Sequence, residues 1–240
     1  MLPAVSIVLP CHNEEACLEG VVRDACGAGR ELALDWEVVV VDDGSSDWSP
    51  ELLRALQRDE PRIQVVTHER NRGYGAALRS GFARAVHPWI FYLDADGQYD
   101  PFDLRNHLAL VSSETMVIGF RAPRRDGLIR LLNGSLWTAL TNAMLGLRVR
   151  DVDCGFKVFP RALLEGDALR ADGATVDAEL LSLARHRGLT IHEVPVQHLP
   201  RRGGRASGAR PEVVMRALFE LAKLVLARPQ ERARAVQLTS

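Results

Sequence analysis

A short apolar segment, Trp89–Leu93, runs directly into two acidic residues, Asp94 and Asp96, with Gln98 close behind. Its aromatic and branched aliphatic residues favour a buried β-strand. In open α/β sheets, ligands bind beyond the carboxyl ends of the strands. Carboxylate and amide oxygens this close together suit a hard divalent cation, Mg²⁺ or Mn²⁺, which would hold a diphosphate. The alternative interpretation is a polar turn that simply follows a strand.

A second strand-like run, Val5–Leu9, also ends in polar residues. Pro10, Asn13 and Glu14 follow it, and one hypothesis places them against a nucleotide base or ribose. The other hypothesis is structural: Asn13 caps a helix that Glu14 and Glu15 open, since acidic residues are favoured in the first turn of a helix. The local sequence leaves both hypotheses open.

A third run, Trp36–Val41, is nearly continuous in β-branched residues, as expected of a strand that is covered on both faces. Asp42 and Asp43 follow it directly, and Ser46 or Asp47 could cap the helix that comes next. Acidic residues therefore follow all three of these strand-like runs. A sheet with a purely structural role has no need of this repetition, so we expect a binding site at one edge of the sheet.

Strand-like runs alternate with helical patterns along the chain. Ile63–Thr67 and Thr115–Gly119 complete the series in the first half, and Thr115–Gly119 leads to Arg121. Thr190–Val196 is a later strand, whose Pro195 predicts an edge position. The alternation predicts an α/β fold with a single, mostly parallel sheet flanked by helices.

A glycine-rich turn, Gly73–Gly75, precedes a helix that ends near His87. Such a turn can hold phosphate on its backbone amides. The pattern is not a dinucleotide fingerprint, because it lacks the third glycine or alanine and follows the third strand of the chain; it also lacks the Gly-Lys-Ser/Thr of a P-loop. A nicotinamide oxidoreductase is therefore disfavoured. Phosphate binding and a tight strand-to-helix turn both remain open.

Arginines are frequent in the second half of the chain. Arg130 and Ser135 lie about one turn apart in a helix predicted over residues 128–145. Arg202 belongs to a basic, glycine-rich segment over residues 199–210, which either orders on an anionic ligand or serves as a linker. Arginine can bind phosphate through two hydrogen bonds, and a solvated basic face is the alternative for each arginine.

Charge and composition narrow the class of protein. The formal net charge is −1, which gives no indication of nucleic-acid binding. The four cysteines form no CxxC pair, which predicts free thiols in a reducing compartment and no zinc site. No apolar run reaches the roughly 18–20 residues of a membrane span. We expect a cytoplasmic protein, either soluble or peripheral on the cytoplasmic face of a membrane; the apolar helix that starts at Pro211 could lie on a membrane, pack on the core or form a dimer.

Six motifs, taken together and in this order, resemble those of the family-2 glycosyltransferases of GT-A fold: PCHNEE, VVVVDDGSSD, NRGYGAALRSG, LDADGQ, DVDCGFKVF, and HEVPV followed by RRGGRASG. Within that family, DVDCGFK points to the branch of the dolichol-phosphate mannosyltransferases and polyprenyl-phosphate glycosyltransferases. The resemblance extends from Val5 to about Arg210. The ordered set is far more specific than any single motif.

The resemblance implies a role for each group of residues. It implies nucleotide contacts at Pro10, Asn13, Glu14, Asp42, Asp43, Gly73, Asp94, Ala95 and Arg202. It implies a metal at the DxD motif, with Asp94, Asp96 and Gln98 as ligands. It implies an acceptor phosphate at Arg121, Arg130 and Ser135, and catalytic roles for Asp94, Asp96 and Arg121. Where the family often has Gly-Ser-Arg-Tyr, this chain has Gly119-Phe120-Arg121-Ala122, so the arginine is kept and the hydroxyls are lost.

The implied reaction is an inverting transfer of a sugar, with mannose favoured, from GDP-mannose or a UDP-sugar to a polyprenyl or dolichyl phosphate. A lipid monophosphate needs no general base, because its oxygen is already ionised near neutral pH (second pKa about 6). A hydroxyl acceptor would need one, and an acid near Asp151–Asp153 is the candidate. A soluble glycosyltransferase with a hydroxyl acceptor and a non-catalytic nucleotide-sugar-binding protein are the alternatives.

The resemblance also implies a division of the chain. Residues 1–210 form the GT-A domain, with a nucleotide-sugar half over 1–121 and an acceptor half over 122–210. Residues 211–240 form a C-terminal amphipathic helix and tail. The sequence does not indicate an oligomeric state.

Overall fold

The computed structural model describes residues 1–122, 128–166, 169–200 and 215–226, without the side chains of residues 128–130. The strands, numbered along the chain, are β1 Leu2–Cys11, β2 Ala33–Asp42, β3 Ile63–Thr67, β4 Trp89–Leu93, β5 Thr115–Arg121, β6 Phe156–Pro160 and β7 Thr190–Val196. Within the described ranges they form one sheet in the order β3-β2-β1-β4-β6-β5-β7. Strand β6 is antiparallel to β4 and β5, and the other neighbouring pairs are parallel. The predicted single, mostly parallel sheet is confirmed.

The helices that accompany the sheet are α1 Leu18–Leu32, α2 Ser49–Asp59, α3 Tyr74–Arg84, α4 Leu128–Leu145 and α5 Thr175–His186, together with a helical segment over residues 215–226. The described residues also contain two 3₁₀ helices, Pro101–Leu110 and Arg161–Leu164. The first of them lies between β4 and β5. Asp100 caps this segment by accepting a hydrogen bond from Phe102 N–H. Among the helices of the described residues, none is both long and apolar enough to cross a bilayer.

The valines of β2 show why this strand is continuously apolar. All four valines are completely buried. Val38 and Val40 face a core layer that includes the apolar side of α1, whereas Val39 and Val41 face a second layer that includes α3 and α5. Because successive side chains of a strand point to opposite faces, a sheet with helices on both faces needs apolar residues at every position.

The last strand lies where its proline predicts. Among the described residues, β7 pairs with β5 and with no other strand, and Pro195 lies opposite Phe120. A proline has no N–H to donate and is tolerated where one side of a strand has no partner. The prediction of an edge position for this strand is confirmed.

The order of the strands reverses at β1. Strands β2 and β3 extend the sheet on one side of β1, and β4 lies on the other side. The pairing of β1 with β4 extends to Val8 and Tyr92, whereas β1 stays paired with β2 as far as Cys11. Pro10 therefore lies in the part of β1 that has separated from β4, where its missing N–H costs no bond to that strand. The crevice at such a switch point is the usual ligand site of an open α/β sheet.

Candidate functional site

Asn13 joins the loop after β1 to the loop after β2. Its backbone N–H donates to Ser45 Oγ at 2.9 Å, and its side-chain Oδ1 accepts from Ser46 N–H at 2.8 Å. Its φ of 58° is the one positive value at a non-glycine residue within the described part of the chain. Asparagine tolerates this left-handed conformation better than most residues do. The hypothesis that Asn13 caps a helix is wrong, because α1 begins only at Leu18 and Asn13 is bonded to the β2 loop instead.

Glu14 and Asp42 are nearly buried beside these loops. Glu14 is 8% exposed, and its N–H donates to Ser49 Oγ at 3.2 Å. Asp42 is 1% exposed, and its Oδ1 accepts from Ser45 N–H at 3.0 Å. The structure thus brings four of the residues that were assigned to the nucleotide to the ends of β1 and β2: Pro10, Asn13, Glu14 and Asp42.

Asp43 is bonded to the protein at several points. One carboxylate oxygen accepts from Gly73 N–H at 2.8 Å. The other accepts from Arg72 N–H at 2.9 Å and lies 2.6 Å from His68 Nδ1. His68 Nε2 lies 2.9 Å from Ser80 Oγ in α3. Asp43 therefore anchors the loop that leads to α3, so a contribution of this residue to nucleotide binding would act through the loop.

The glycine-rich turn before α3 is held by backbone contacts. Gly73 has a φ of 103°, and a side chain there would meet Asp172 O at 2.5 Å. Asp172 O accepts from Gly75 N–H at 2.8 Å and from Ala76 N–H at 3.4 Å. These amides are already bonded within the protein, so the structure favours the tight strand-to-helix turn over a phosphate cradle.

Asp94 and Asp96 lie at the end of β4 and are both partly buried. Burial, followed by the negative charge of Asp96, raises the pKa of Asp94 to about 7. Tyr74 Oη donates to Asp94 Oδ1 at 2.7 Å. Two carboxylates that repel each other in a sheltered place are the arrangement that a divalent cation relieves, so this pair fits Mg²⁺ or Mn²⁺.

Ala95 and Gln98 complete the turn after β4. Ala95 is 2% exposed, and its carbonyl oxygen lies 3.4 Å from Cys17 Sγ. Gln98 N–H donates to Asp96 Oδ1 at 3.0 Å, and Gln98 Nε2 donates to Leu199 O at 3.1 Å. Gln98 would therefore reach a cation through its Oε1 atom. Since Mg²⁺ in phosphate sites takes one or two carboxylates together with waters and phosphate oxygens, two acids and one amide suffice.

Of the residues assigned to the acceptor phosphate, the structure describes the side chains of Arg121 and Ser135. Arg121 forms a bidentate pair with Asp151, with Nε–Oδ2 and Nη2–Oδ1 distances of 2.7 Å, and both side chains are under a tenth exposed. Ser135 lies on an exposed part of α4. The side chain of Arg130 and all of Arg202 lie outside the described residues. The pair holds the Arg121 guanidinium in one orientation, so any phosphate would meet it from a fixed direction.

Asp153 is a second acid with an unusual pKa. Burial, followed by the negative charge of Asp177, raises the pKa of Asp153 to about 7. Trp137 Nε1 donates to its Oδ1 at 2.9 Å. Asp151 is ion-paired with Arg121, so Asp153 is the better candidate for a general base, since a base works best when its pKa is near the working pH.

We expect Asp153→Asn to stabilise the fold more at pH 8 than at pH 5. The folded-state pKa of about 7 lies above the ordinary value of 3.8, so wild type loses stability as the pH rises from 3.8 to about 7 and stays at that lower stability above it. Asparagine keeps the acceptor for Trp137 and removes the charge. The gain at pH 8 should exceed that at pH 5 by about 1 kcal/mol or more. Urea denaturation at both pH values measures this, and equal gains would contradict it.

The model of the family described as Glycosyl transferase family 2 matches residues 6–168, more than half of the chain. The chain belongs to glycosyl transferase family 2. The motifs quoted from the sequence therefore identify the family correctly.

Several curated relatives carry the printed name undecaprenyl-phosphate 4-deoxy-4-formamido-L-arabinose transferase. The protein of that name from Pseudomonas fluorescens (strain Pf0-1) is 31% identical over 221 residues, which are 90% of this chain and 63% of the relative. The one from Pectobacterium carotovorum subsp. carotovorum (strain PC1) is 33% identical over 162 residues, which are 67% of this chain and 50% of the relative. The chain thus spans about half the length of the latter. The name agrees with the polyprenyl-phosphate branch that the motifs predict.

Solved structures of glucosyl-3-phosphoglycerate synthase from Mycobacterium tuberculosis share the fold. The complex with Mn²⁺, UDP and glucosyl-3-phosphoglycerate has a TM-score of 0.71 at 23% identity, over 94% of this chain and 80% of that chain. The complex with Mn²⁺, UDP-glucose and glycerol 3-phosphate has a TM-score of 0.70 at 22% identity, with the same coverage. The expected GT-A fold is confirmed.

One buried cluster of charged and polar side chains in this family-2 chain is not predicted by the sequence motifs. Lys157 in β6 is completely buried, and its Nζ donates to Asp177 Oδ1 and to Cys154 O, both at 2.6 Å. Tyr92 Oη in β4 donates to the same oxygen of Asp177. The one signal in the sequence is a lysine inside the otherwise apolar strand Phe156–Pro160, where an unpaired charge would be costly. The cluster ties β4 and β6 to the start of α5.

Proposed function

We propose that the chain transfers a sugar from a nucleotide-sugar donor to a polyprenyl phosphate. The observation that supports this most is the convergence of polar strand ends at the switch point of the sheet. Asn13 follows β1, Asp42 ends β2, and the pair Asp94 and Asp96 follows β4. A nucleoside placed at the first two and a diphosphate at the acidic pair would span neighbouring strands, as ligands do in open α/β sheets.

A UDP-sugar is the donor that we favour. The printed titles of the similar structures name UDP and UDP-glucose, and the printed names of the relatives specify a formamido-arabinose group. GDP-mannose, which the motif resemblance favours, remains the alternative donor. Both contain a diphosphate, so the same acidic pair would serve either.

Asp94, Asp96 and Gln98 would hold a divalent cation, Mn²⁺ or Mg²⁺. When bound, such a cation supplies the positive charge that makes a nucleoside diphosphate an adequate leaving group. The residues of the chain orient the donor around it: Tyr74 holds Asp94, and Gln98 links the acidic turn to Leu199. Leu199 directly precedes the basic segment that contains Arg202, which we propose contacts the donor phosphates.

A phosphate acceptor suits Arg121, which ends β5 on the side of β4 that faces away from β1. We propose that Arg121, Arg130 and Ser135 receive the acceptor phosphate. The Asp151 carboxylate already holds the Arg121 guanidinium in place. Binding of a phosphate would therefore carry no further entropic cost for fixing this side chain. An ionised phosphate oxygen can attack the sugar without a general base, and positioning would replace base catalysis.

We further propose that α4 touches the membrane that carries such a lipid. Leu132 and Leu136 are 62% and 71% exposed, and the exposed Ser135 lies between them in sequence. An apolar surface beside the proposed acceptor site would place the lipid phosphate within reach of that serine.

The double variant Leu132→Glu and Leu136→Glu should weaken binding to vesicles of anionic phospholipid at least roughly tenfold, because two apolar side chains lose their burial. Leu34→Glu is the control, since Leu34 is 77% exposed at the start of β2, the opposite end of that strand from the site. Co-sedimentation measures the effect. Equal binding of wild type and double variant would exclude this surface.

A hydroxyl acceptor is the second candidate, and the pKa of Asp153 near 7 supports it. Labelled UDP-sugars and GDP-mannose incubated with polyprenyl phosphate or with water-soluble acceptors separate the two candidates. We expect transfer to the lipid, with little change in Asp153→Asn. Transfer only to a soluble hydroxyl, lost in Asp153→Asn, would replace the first candidate with the second.

A further inference from the structure

The Asp94 carboxylate is packed tightly against the backbone of β6. Leu93 lies opposite Phe156 in the antiparallel β4–β6 pair, so Gly155 comes beside Asp94. Asp94 N–H donates to Gly155 O at 3.3 Å. A Cβ atom added to Gly155 would lie 2.2–2.6 Å from the three atoms of the Asp94 carboxylate. The carboxylate therefore occupies space that only a glycine leaves.

The Tyr74 hydroxyl contacts the same carboxylate. It donates to Asp94 Oδ1 at 2.7 Å. Tyr74 is the first residue of α3, and the turn before it is anchored by the bond from Gly73 N–H to Asp43 Oδ2. Asp172 O accepts from Gly75 N–H directly after it. The backbone on both sides of Tyr74 is thus held by long-range hydrogen bonds, which fix the position from which the side chain reaches Asp94.

A carboxylate at the end of a strand is not oriented by its own backbone. The torsion that turns the carboxyl group of aspartate has a broad distribution, and a ligand site needs this group within a narrow range of angles. Hydrogen bonds from neighbouring residues to a ligating carboxylate supply this restraint in metal sites. The Tyr74 bond and the packing on Gly155 both restrain the Asp94 carboxylate in this way.

We propose that Tyr74 is a positioning residue, whose hydroxyl orients the Asp94 carboxylate toward the cation and diphosphate of the donor. This inference rests on the proposed function, since it requires a metal–diphosphate site at Asp94. It goes beyond the motif-based assignment, which gives the tyrosine of NRGYGAALRSG no role. Tyr74 touches neither the donor nor the acceptor in this proposal, and its effect passes through Asp94.

Titrating Mn²⁺ into the protein with UDP present, and following the heat of binding, tests the proposal. Tyr74→Phe keeps the ring that packs on the core and removes only the hydroxyl. We expect the apparent Mn²⁺ affinity to fall about 10- to 100-fold. UDP binding without metal should stay unchanged. Tyr92→Phe is the matched control, because it removes a buried hydroxyl that donates to Asp177 and is not hydrogen-bonded to Asp94 or Gly155.

Gly155→Ala provides an independent second variant. Its Cβ would displace the Asp94 carboxylate, so the Mn²⁺ affinity should fall as in Tyr74→Phe, whereas Gly20→Ala, with open space around the added atom, should bind like wild type. Wild-type Mn²⁺ affinity in either folded variant would overturn the positioning role. Wild-type protein that binds UDP identically with and without Mn²⁺ would instead overturn the proposed function, and this inference with it.

Discussion

Replacing Asp96 with asparagine should lower the rate of sugar transfer by about two to three orders of magnitude. Asparagine keeps the oxygen that accepts from Gln98 N–H at 3.0 Å, so the turn should persist and only the negative charge is lost. With one carboxylate fewer, the site would hold the cation and the diphosphate more weakly. Turnover of a labelled nucleotide-sugar with polyprenyl phosphate measures the effect.

Asp100→Asn is the matched control for that experiment. Asp100 lies four residues further along the chain, and its side chain caps the 3₁₀ helix by accepting from Phe102 N–H. Asparagine caps as well as aspartate, so both the fold and the rate should be retained. A rate for Asp96→Asn within a few-fold of wild type would remove Asp96 from the proposed metal site.

Lys157→Met should destabilise the fold by about 3–5 kcal/mol, because it leaves the carboxylate of Asp177 buried without its cation. Lys157 is completely buried, and Asp177 is 3% exposed. Equilibrium unfolding in urea, with the slope checked for two-state behaviour, measures the loss. Arg54→Met breaks an exposed pair with Glu51, in which the side chains are 66% and 45% exposed, and should cost at most about 1 kcal/mol.

The double variant Lys157→Met and Asp177→Asn separates the cost of the isolated charge from the cost of lost packing. Asparagine keeps an acceptor for the Tyr92 hydroxyl, which bonds to Asp177 Oδ1 in wild type. If the isolated carboxylate causes the loss, the double variant should recover most of it. A double variant as unstable as Lys157→Met would show that packing around the lysine stem dominates.

The fold could be predicted from the sequence because the strands carry local signals. The continuous valines of β2 reflect helices on both faces, and Pro195 marks an edge strand. Local patterns failed at Asn13, where a capping residue followed by acids predicts a helix start. Its partners Ser45 and Ser46 lie 32 and 33 residues away, and no local pattern reveals them. Hydrogen bonds between residues that are distant in the sequence determine the conformation of that loop.

The site was predictable only in part, for a similar reason. Acidic residues that follow strands can be found by inspection, and β1, β2 and β4 do bring theirs to one edge. The bond from Tyr74 to Asp94 spans 20 residues, and the packing of Gly155 on Asp94 depends on β6 running antiparallel beside β4. Asp43 is bonded to the loop amides of Arg72 and Gly73 and lies beside His68, partners that are 25 to 30 residues away along the chain. Such contacts exist only once the strands are paired.

Calorimetric titration of UDP and of GDP into the wild-type protein, each with and without Mn²⁺, tests the central claim most directly. We predict that UDP binds with Mn²⁺, binds far more weakly without it, and is preferred over GDP. A preference for GDP would leave the assignment of the metal–diphosphate site unchanged and would make GDP-mannose the proposed donor. If neither nucleotide binds when Mn²⁺ is present, the assignment of a metal–diphosphate site to Asp94 and Asp96 is contradicted.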